Sequence, residues 1–367
     1  GWGMDFSKTL IRGGAFAAPA STHTSQRVAV IERLPKSLLC VPLVLQWAWL
    51  GLRYRALALP TLVNPGIAFG GLVGESKLAC LDLIASDCAA YVAHTAPVRP
   101  GDNAETVRRA AKLTFPLIAK PDIGWCGYGV QRLDSPQKLA AYGAAFPKDA
   151  TYLLQRFAEG PFEAGLAYAR MPGATCGRVL ALTFRHQPHV IGDGRTALAA
   201  LIAADSRTVR KMSLYCKYLT AAELARVPAL GEHVTLTTIA SQRVGALYED
   251  ATALVSGELN ETIDRIARSM GEFHYGRFDI RFVSVARLQR GEFTIIEING
   301  AGSEAIQYWD PRVPIMAAFA GVFAKQKMLF AIGAAMRRRG AKSVSIAALF
   351  RAWRAQQKLM ARYPSSN

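Results

Sequence analysis

The sequence predicts a mixed α and β fold, with antiparallel strands in the middle of the chain and helices near its C-terminal end. Residues 115–185 contain several short apolar or alternating runs separated by turns, as strands do. Residues 277–299 form two alternating runs joined by a polar turn, which is typical of an antiparallel hairpin. Residues after Pro314 have helical spacing, with one break near Gly340.

The size of the chain allows two or three domains and a large core. It has 367 residues, of which 51% are hydrophobic and 19% are charged, and this composition is typical of globular proteins. We expect an N-terminal region (1–75), a central lobe (76–150), a C-terminal lobe (151–310) and a basic helical tail (311–367).

The predicted hairpin brings together side chains that suit a metal ion. Arg277 and Asp279 share a face of the first strand, and Glu297 and Asn299 share a face of the second, because strand side chains alternate. If these faces coincide, two carboxylates and an amide oxygen converge beside an arginine. Mg²⁺ prefers such oxygen ligands and completes its shell with phosphate and water. Taken alone, the alternation also fits a surface hairpin whose charges face solvent.

A glycine-rich segment, Gly124–Gly129, lies between two predicted strands. Glycines let backbone N–H groups approach a phosphate closely. The segment is not a Walker loop, because it lacks the Gly-Lys-Thr/Ser ending and a strand follows where a helix would be needed. It fits a hairpin tip that folds over a nucleotide. An ordinary flexible turn is the simpler interpretation of this motif on its own.

Positive charge is concentrated near the C-terminal end. The formal net charge is +17, and Asp310 is the last acidic residue before a series of lysines and arginines that reaches Arg362. Such a block suits an anionic partner, namely membrane phospholipid, nucleic acid or an acidic protein. It equally fits a solvated helical surface.

An apolar run covers Leu38–Leu52 and is followed by Arg53. The run is shorter than the roughly 20 residues that cross a bilayer. A buried helix is the favoured interpretation. The alternative is a helix in a membrane interface, where Trp47, Trp49 and Arg53 would meet lipid head groups.

The cysteines indicate a reduced protein. The six cysteines include no C-x-x-C pair, and no histidine lies at zinc-ligand spacing from them. Asp5, Lys8 and Arg12 interrupt any apolar run near the start, so we expect no secretory signal and a cytoplasmic location.

The order of these motifs resembles the ATP-grasp superfamily, in particular its carboxylate–amine ligases of the D-alanine–D-alanine ligase and cyanophycin-synthetase type. The resemblance runs from Lys77 to Glu304 and implies two sheet-bearing lobes that clasp ATP. It departs from the family at Gln155, where a glutamate is commoner, and at Trp125 and Cys126, which are bulkier than usual. The first 75 residues and the basic tail match no family motif.

The resemblance also implies the role of each matching residue. For ATP it implies that Lys77 and Lys120 contact the phosphates and that Gly124, Gly127 and Gly129 form a mobile loop. It also implies a hinge that contacts the adenine, formed by Gln155, Arg156 and Phe157, and an acid at the ribose, Glu163. For the metal it implies that Mg²⁺, as a pair of ions and with Mn²⁺ as a substitute, is held by Asp279, Glu297 and Asn299. Arg277 would steady the acyl phosphate and the tetrahedral intermediate. The segment 189–196 is similar to a loop of the cyanophycin-type members.

The implied activity is ATP-dependent formation of an amide or peptide bond between a small or amphipathic carboxylate and an amine, with release of ADP and phosphate. Residues 64–75 and 300–304 would line the acceptor side. A kinase on the same scaffold is an alternative, since the nucleotide machinery would be shared. A second alternative is a membrane- or nucleic-acid-associated protein that binds ATP, although nucleic acid is the less expected partner. The tail and the apolar run together suggest peripheral association with an anionic membrane at its inner face.

Overall fold

The structure, a computed structural model, describes residue 28 and residues 30–367. Its α-helices are α1 Val30–Arg33, α2 Lys36–Tyr54, α3 Lys77–Asp82, α4 Ala104–Ala110, α5 Pro136–Ala145, α6 Leu198–Ala204, α7 Met212–Tyr218, α8 Ala221–Ala225, α9 Gly257–Ser269, α10 Val285–Gln289, α11 Ile315–Arg338 and α12 Ile346–Met360. Its strands are β1 Thr95–Val98, β2 Leu117–Pro121, β3 Gln131–Leu133, β4 Tyr152–Arg156, β5 Phe162–Ala169, β6 Arg178–His186, β7 His189–Ile191, β8 His233–Thr235, β9 Leu247–Asp250, β10 Tyr275–Phe282 and β11 Thr294–Asn299.

Two antiparallel sheets organise the molecule, and each has its own core. The smaller sheet has four strands in the order β1-β4-β2-β3, and α4 and α5 contribute to its apolar core. The larger sheet has five strands in the order β11-β10-β5-β6-β9, and α9 packs against it. Strands β7 and β8 form a separate pair. The predicted fold class, mixed α and β with two sheet-bearing lobes, is therefore confirmed.

The hairpin β10–β11 forms because alternate residues are apolar. Phe278, Ile280 and Phe282 are fully buried in the core of the larger sheet, so the intervening polar residues face the other way. The pairing shifts register after Asp279, and Ile296 on β11 is left without a partner on β10, as in a β-bulge. The connection differs from the prediction, because it contains the short helix α10 rather than a polar turn alone.

The N-terminal region and the tail pack against each other. Helix α11 packs on α2 and on a single helical turn at Leu59–Leu62. Phe330 of α11 is fully buried, with its ring centroid 5.1 Å from Trp47 and 5.8 Å from Tyr54. The tail is helical with a break near Gly340, as predicted. It is an integral part of the fold, however, because it supplies half of this core.

The prediction of a buried helix over the apolar run is wrong. The helix α2 is apolar on both sides, and only the side that carries Leu39 and Leu50 is buried. The opposite side is exposed. By length and composition alone, residues 37–54 and 315–338 are each long and apolar enough to cross a membrane, although 17% and 28% of these segments are buried within the protein.

The segment at residues 189–196, predicted to be a loop, begins with a strand. His189–Ile191 pairs with β8. The backbone then turns around Asp193, whose carboxylate accepts hydrogen bonds from the N–H groups of Arg195 and Thr196. The predicted loop is therefore limited to the residues that follow the strand.

Removing the ring of Phe330 tests whether the tail helps to hold the fold. Phe330→Ala leaves a cavity between α2 and α11, and we expect it to lower the free energy of unfolding by about 3–5 kcal/mol in a denaturant titration. Phe350→Ala on α12 is the matched control, because Phe350 is 54% exposed; its expected effect is within about 0.5 kcal/mol. Equal, small effects of the two substitutions would show that α11 does not belong to the core.

Candidate active site

The hairpin places the predicted metal ligands side by side. Asp279 pairs with Glu297 across the ladder, and Arg277 pairs with Asn299. The Asn299 Nδ2 atom donates to Asp279 Oδ2 at 3.2 Å. The Arg277 guanidinium donates to both carboxylate oxygens of Asp279, at 2.6 Å from Nε and 3.0 Å from Nη2. The two predicted faces therefore coincide, and the four side chains form one polar cluster.

Asp279 is a carboxylate held between two arginines. Besides Arg277, the Nη1 atom of Arg185 on β6 lies 3.1 Å from Asp279 Oδ2. Burial raises the pKa of Asp279, but the two guanidinium groups outweigh burial and hold the pKa below its ordinary value. Asp279 is therefore negatively charged near neutral pH. Arg185 therefore neutralises Asp279 in this structure.

Lys77 connects the glycine-rich loop to the hairpin. It is the first residue of α3, whose N-terminus is capped by the Ser76 hydroxyl. Its Nζ lies 3.2 Å from Glu297 Oε1 and donates to the Gly124 carbonyl at 2.5 Å. Burial lowers the pKa of Lys77, but Glu297 and Glu75 more than offset burial, so the pKa lies above its ordinary value. Lys77 is therefore a permanent cation in this cluster.

Lys120 and Gln155 join the two sheets. Lys120 Nζ donates to Gln155 Oε1 at 3.1 Å and to the carbonyl of Ile296 at 2.6 Å. Gln155 Nε2 donates to the same carbonyl at 3.1 Å and to Thr95 Oγ1 at 2.9 Å. The bulge at Ile296 makes this contact possible, because it leaves the carbonyl outside the strand ladder. Burial lowers the pKa of Lys120 to about 8, against the opposing effect of Glu297.

The other residues that were predicted to contact the adenine and the ribose lie near the junction of β4 and β5. Arg156 is exposed. The Phe157 ring lies between the guanidinium carbons of Arg132, at 4.9 Å from its centroid, and Arg281, at 4.6 Å. Glu163 pairs with Arg281 at 3.3 Å. Phe157 and Glu163 are thus joined through Arg281, and none of the three predicted residues lines the cavity that the hairpin β10–β11 borders.

The glycine-rich loop is folded down onto the larger lobe. Gly124, Gly127 and Gly129 all have positive φ angles, which glycine adopts without strain. A Cβ atom on Gly127 would lie 2.7 Å from Ile239 Cδ1, so a larger residue at this position would force the Ile239 side chain to move. Arg243 donates from Nη2 to the Gly127 carbonyl at 3.3 Å. The loop, which was predicted to be mobile, is in a closed position here.

Residues 363–367 help to hold that loop, and no sequence motif indicated this. Ser366 Oγ donates to the Gly127 carbonyl at 2.6 Å, and Tyr363 Oη donates to the Ile123 carbonyl at 2.5 Å. The Asn367 amide bonds Arg132 on β3. The basic tail therefore reaches the candidate site as well as the core.

A cavity of about 520 Å³ lies between the loop and the hairpin. It is bordered by residues 71–75 and 302–304, which belong to the two segments that were predicted to line an acceptor side. These two segments touch, because Gly71 and Gly300 allow their backbones to meet; a Cβ atom on Gly71 would lie 2.4 Å from Gly300 Cα. The charged residues of its lining are Glu32, Glu75, Arg185, Arg207, Arg210, Lys211, Arg243, Arg277, Asp279, Glu297 and Glu304.

Two partly buried groups with shifted pKa values lie in or beside these two segments. Burial raises the pKa of Glu75 to about 7, against the effect of Lys77, and its Oε2 accepts from Gly300 N–H at 3.0 Å. Burial lowers the pKa of Lys325 on α11 to about 8, against the effect of Glu304. Lys325 also donates to the Ser303 carbonyl. The sequence showed Lys325 only as one of many tail cations, because nothing local marks it as buried.

The donor set of the hairpin fits Mg²⁺. Among the described residues no group of three or more His, Cys, Asp and Glu side chains is arranged to hold a metal. The cluster here offers two carboxylates and one amide, which is what Mg²⁺ takes when phosphate oxygens supply further ligands. Of the two carboxylates, Glu297 is the more accessible, with 23% of its side chain exposed against 5% for Asp279.

The comparisons with known proteins found neither a matching family model nor a matching curated protein. Among solved structures, the chain is similar to D-alanine–D-alanine ligase from Bacillus anthracis, with 14% identity, a TM-score of 0.42, and coverage of 72% of this chain and 69% of that one. It is similar to VanG D-Ala:D-Ser ligase from Enterococcus faecalis, with 16% identity, a TM-score of 0.39, and coverage of 70% and 61%. It is also similar to a bifunctional glutathione synthetase from Pasteurella multocida, with 16% identity and a TM-score of 0.35. The match covers 68% of this chain and 36% of that one.

The chain thus spans less than two thirds of the length of two of these three proteins. Two of these three proteins are named as D-alanine ligases, the type of enzyme that the order of the sequence motifs resembles. Because every TM-score lies below 0.5 and every identity is 16% or less, the activity has to be derived from the chain's own residues.

The partly buried carboxyl of Glu75 makes the free energy of unfolding depend on pH. Its folded-state pKa of about 7 lies above the ordinary 4.5, so the protonated form favours folding. The stabilisation by the protonated carboxyl is fully present below about pH 4.5 and is lost as the pH rises through about 7. We expect Glu75→Gln to raise the melting temperature relative to the wild type more at about pH 8 than at about pH 4.5. Glu261→Gln, at an exposed position, controls for the loss of a charge; a Glu75→Gln effect that is the same at both pH values would contradict the prediction.

Proposed function

We propose that this protein is an ATP-dependent carboxylate–amine ligase, which forms an amide through an acyl phosphate and releases ADP and phosphate. The observation that carries the proposal is the meeting of Asp279, Glu297 and Asn299 with Lys77 and Arg277 beside a cavity roofed by a glycine-rich loop. Phosphoryl transfer needs positioning and charge neutralisation more than covalent help. This cluster offers both.

The nucleotide would enter between the two sheets. Lys77 on α3 and Lys120 on the smaller sheet both point toward the hairpin, which suits cations that contact phosphate groups. In this structure Lys120 and Gln155 bond the Ile296 carbonyl instead. We expect bound ATP to replace these contacts, with Lys120 turning to a phosphate and the Gln155 side chain becoming available to the adenine.

The residues present fit a magnesium site at the triphosphate. Asp279, Glu297 and Asn299 would hold the ion, which when bound would neutralise phosphate charge. Arg277 and Arg185 keep Asp279 ionised without any metal. The bidentate contact from Arg277 also fixes the carboxylate's orientation, so the chain prepares this ligand in advance.

Arg277 is placed to serve the second half of the reaction. Besides Asp279, it bonds the Glu304 carbonyl at 3.0 Å and therefore reaches from the metal ligands to the acceptor side. A fixed guanidinium there would stabilise the oxyanion that forms when the amine adds to the acyl phosphate. Glu75, with a pKa of about 7, would accept a proton from the incoming ammonium group near neutral pH.

The closed loop would protect the intermediate. An acyl phosphate is hydrolysed by water, so a lid that excludes water favours transfer to the amine. Gly127 lies against Ile239, and Arg243 and Ser366 hold its carbonyl. The same contacts must open to admit substrates.

The experiment is a screen for ADP release over libraries of amines and carboxylates with Mg²⁺-ATP, followed by measurement of inorganic phosphate. A ligase releases phosphate only when both the acid and the amine are present. ADP without free phosphate, and a phosphorylated product, would identify a kinase instead. If ATP binds but no combination of acid and amine leads to ADP release, the proposal is contradicted.

Arg277→Ala should separate turnover from nucleotide binding. We expect ADP formation to fall roughly a hundredfold to a thousandfold, because an oxyanion stabiliser is lost, while the dissociation constant for ATP changes little. Arg287→Ala is the control, since Arg287 is exposed and pairs with Glu292 away from the cavity. Loss of ATP affinity in parallel with turnover would contradict the role given to Arg277.

The lowered pKa of Lys120 predicts a pH limit on nucleotide binding. The ammonium group is charged below about pH 8 and neutral above it, so the dissociation constant for a non-hydrolysable ATP analogue should rise above that pH. Lys120→Arg should remove the rise, because guanidinium stays charged. The measurement is a titration at fixed Mg²⁺ over pH. A flat wild-type profile, or an arginine variant that follows the wild type, would contradict the assignment.

A further inference from the structure

The outward side of α2 carries a continuous apolar stripe. Its members follow the i, i+3, i+4 spacing of one helix face, and they are Leu38, Val41, Leu45, Trp49 and Leu52. These side chains are between 52% and 77% exposed. Val44, next to the stripe, is 62% exposed. Contiguous apolar surface of this kind on a folded protein marks an interaction site.

The inward side of the same helix packs against the rest of the protein. Leu50 is 3% exposed, and Trp47 packs on Phe330 of α11. Trp47 Nε1 also donates to the Leu57 carbonyl at 3.0 Å. Because α2 is attached to the protein along this side, only its outer stripe is open to a partner. Whatever covers the outer stripe must therefore approach from one side.

Three arginines lie near the C-terminal end of the stripe. The Arg53 guanidinium lies 5.4 Å from the Trp49 ring centroid, and Arg55, the next cation, is exposed. Arg337 of α11 donates to the Tyr54 carbonyl at 2.9 Å. Neither α2 nor the chain beyond Asp310 contains an acidic residue. The surface around the stripe therefore has the charge that complements an anionic layer.

We propose that the outer stripe of α2 docks the protein on an anionic lipid surface, with the stripe inserted at the level of the head groups and α2 lying in the plane of the membrane. An apolar helix face edged by arginine and tryptophan suits this position, where tryptophan has an apolar body and a polar N–H group. The cations add attraction to anionic lipid that falls as salt increases. The proposal does not depend on the proposed ligase activity.

Docking would also orient the cavity. Helix α11, which holds the inward side of α2 through Phe330, carries Lys325 beside the acceptor end of the cavity. A protein fixed on the membrane through α2 would therefore hold its acceptor end at a constant position relative to the lipid surface.

The test is flotation of the full-length protein with phosphatidylglycerol-containing vesicles and with pure phosphatidylcholine vesicles, at about 50 mM and about 500 mM salt. We expect binding to the anionic vesicles at low salt, and weaker binding at high salt or on neutral vesicles. Leu45→Gln and Leu52→Gln should each weaken binding about tenfold, since each removes an apolar side chain from the lipid contact. Arg53→Glu with Arg55→Glu should weaken binding mainly to the anionic vesicles.

The matched control is Val227→Gln with Leu230→Gln, two exposed apolar residues outside α2, which should leave vesicle binding unchanged. Melting temperatures should not change for the stripe variants, because the substituted side chains do not pack in the core. Absence of binding to anionic vesicles at low salt would overturn the proposal. Stripe variants that bind vesicles like the wild type, but lose a dimer in sedimentation or lose thermal stability, would overturn it too, since the stripe would then be covered by a second copy or by the chain itself.

Discussion

The antiparallel pairing of β10 with β11 is the constraint on which the candidate site depends. It places Asp279 opposite Glu297 and Arg277 opposite Asn299. Fully buried residues such as Phe278 and Ile298 fix this register, because a slip of one residue would turn them toward the cleft. Core packing on one side of the sheet therefore determines the polar geometry on the other.

The same hairpin also connects the lobes. The bulge at Ile296 leaves a carbonyl outside the ladder, and Lys120 and Gln155 of the smaller sheet donate to it. Lys77 makes a second link, because it contacts both Glu297 and the carbonyl of Gly124 in the glycine-rich loop. Each link is a polar contact that a phosphate or an adenine could replace. The contacts that close the lobes are therefore the ones that a nucleotide would compete for.

Much of this could be predicted from the sequence, because strand alternation determines faces: the meeting of Asp279 with Glu297 follows from two apolar runs of the right period. Features that depend on distant packing could not be predicted. Lys325 looks like any tail cation until α11 is placed against the acceptor side. The apolar run of α2 gave no sign of which side would be covered, since both sides are apolar, and so the expectation of a buried helix was wrong.

The central claim is that Asp279, Glu297 and Asn299 hold a divalent ion at the triphosphate of ATP. Titration of Mn²⁺ into the protein with a non-hydrolysable ATP analogue, followed by electron paramagnetic resonance, measures this directly. The account predicts a bound Mn²⁺ signal that requires the analogue and is strongly weakened in Glu297→Gln. A signal that is unchanged in Glu297→Gln, or nucleotide binding that never recruits the ion, would contradict it.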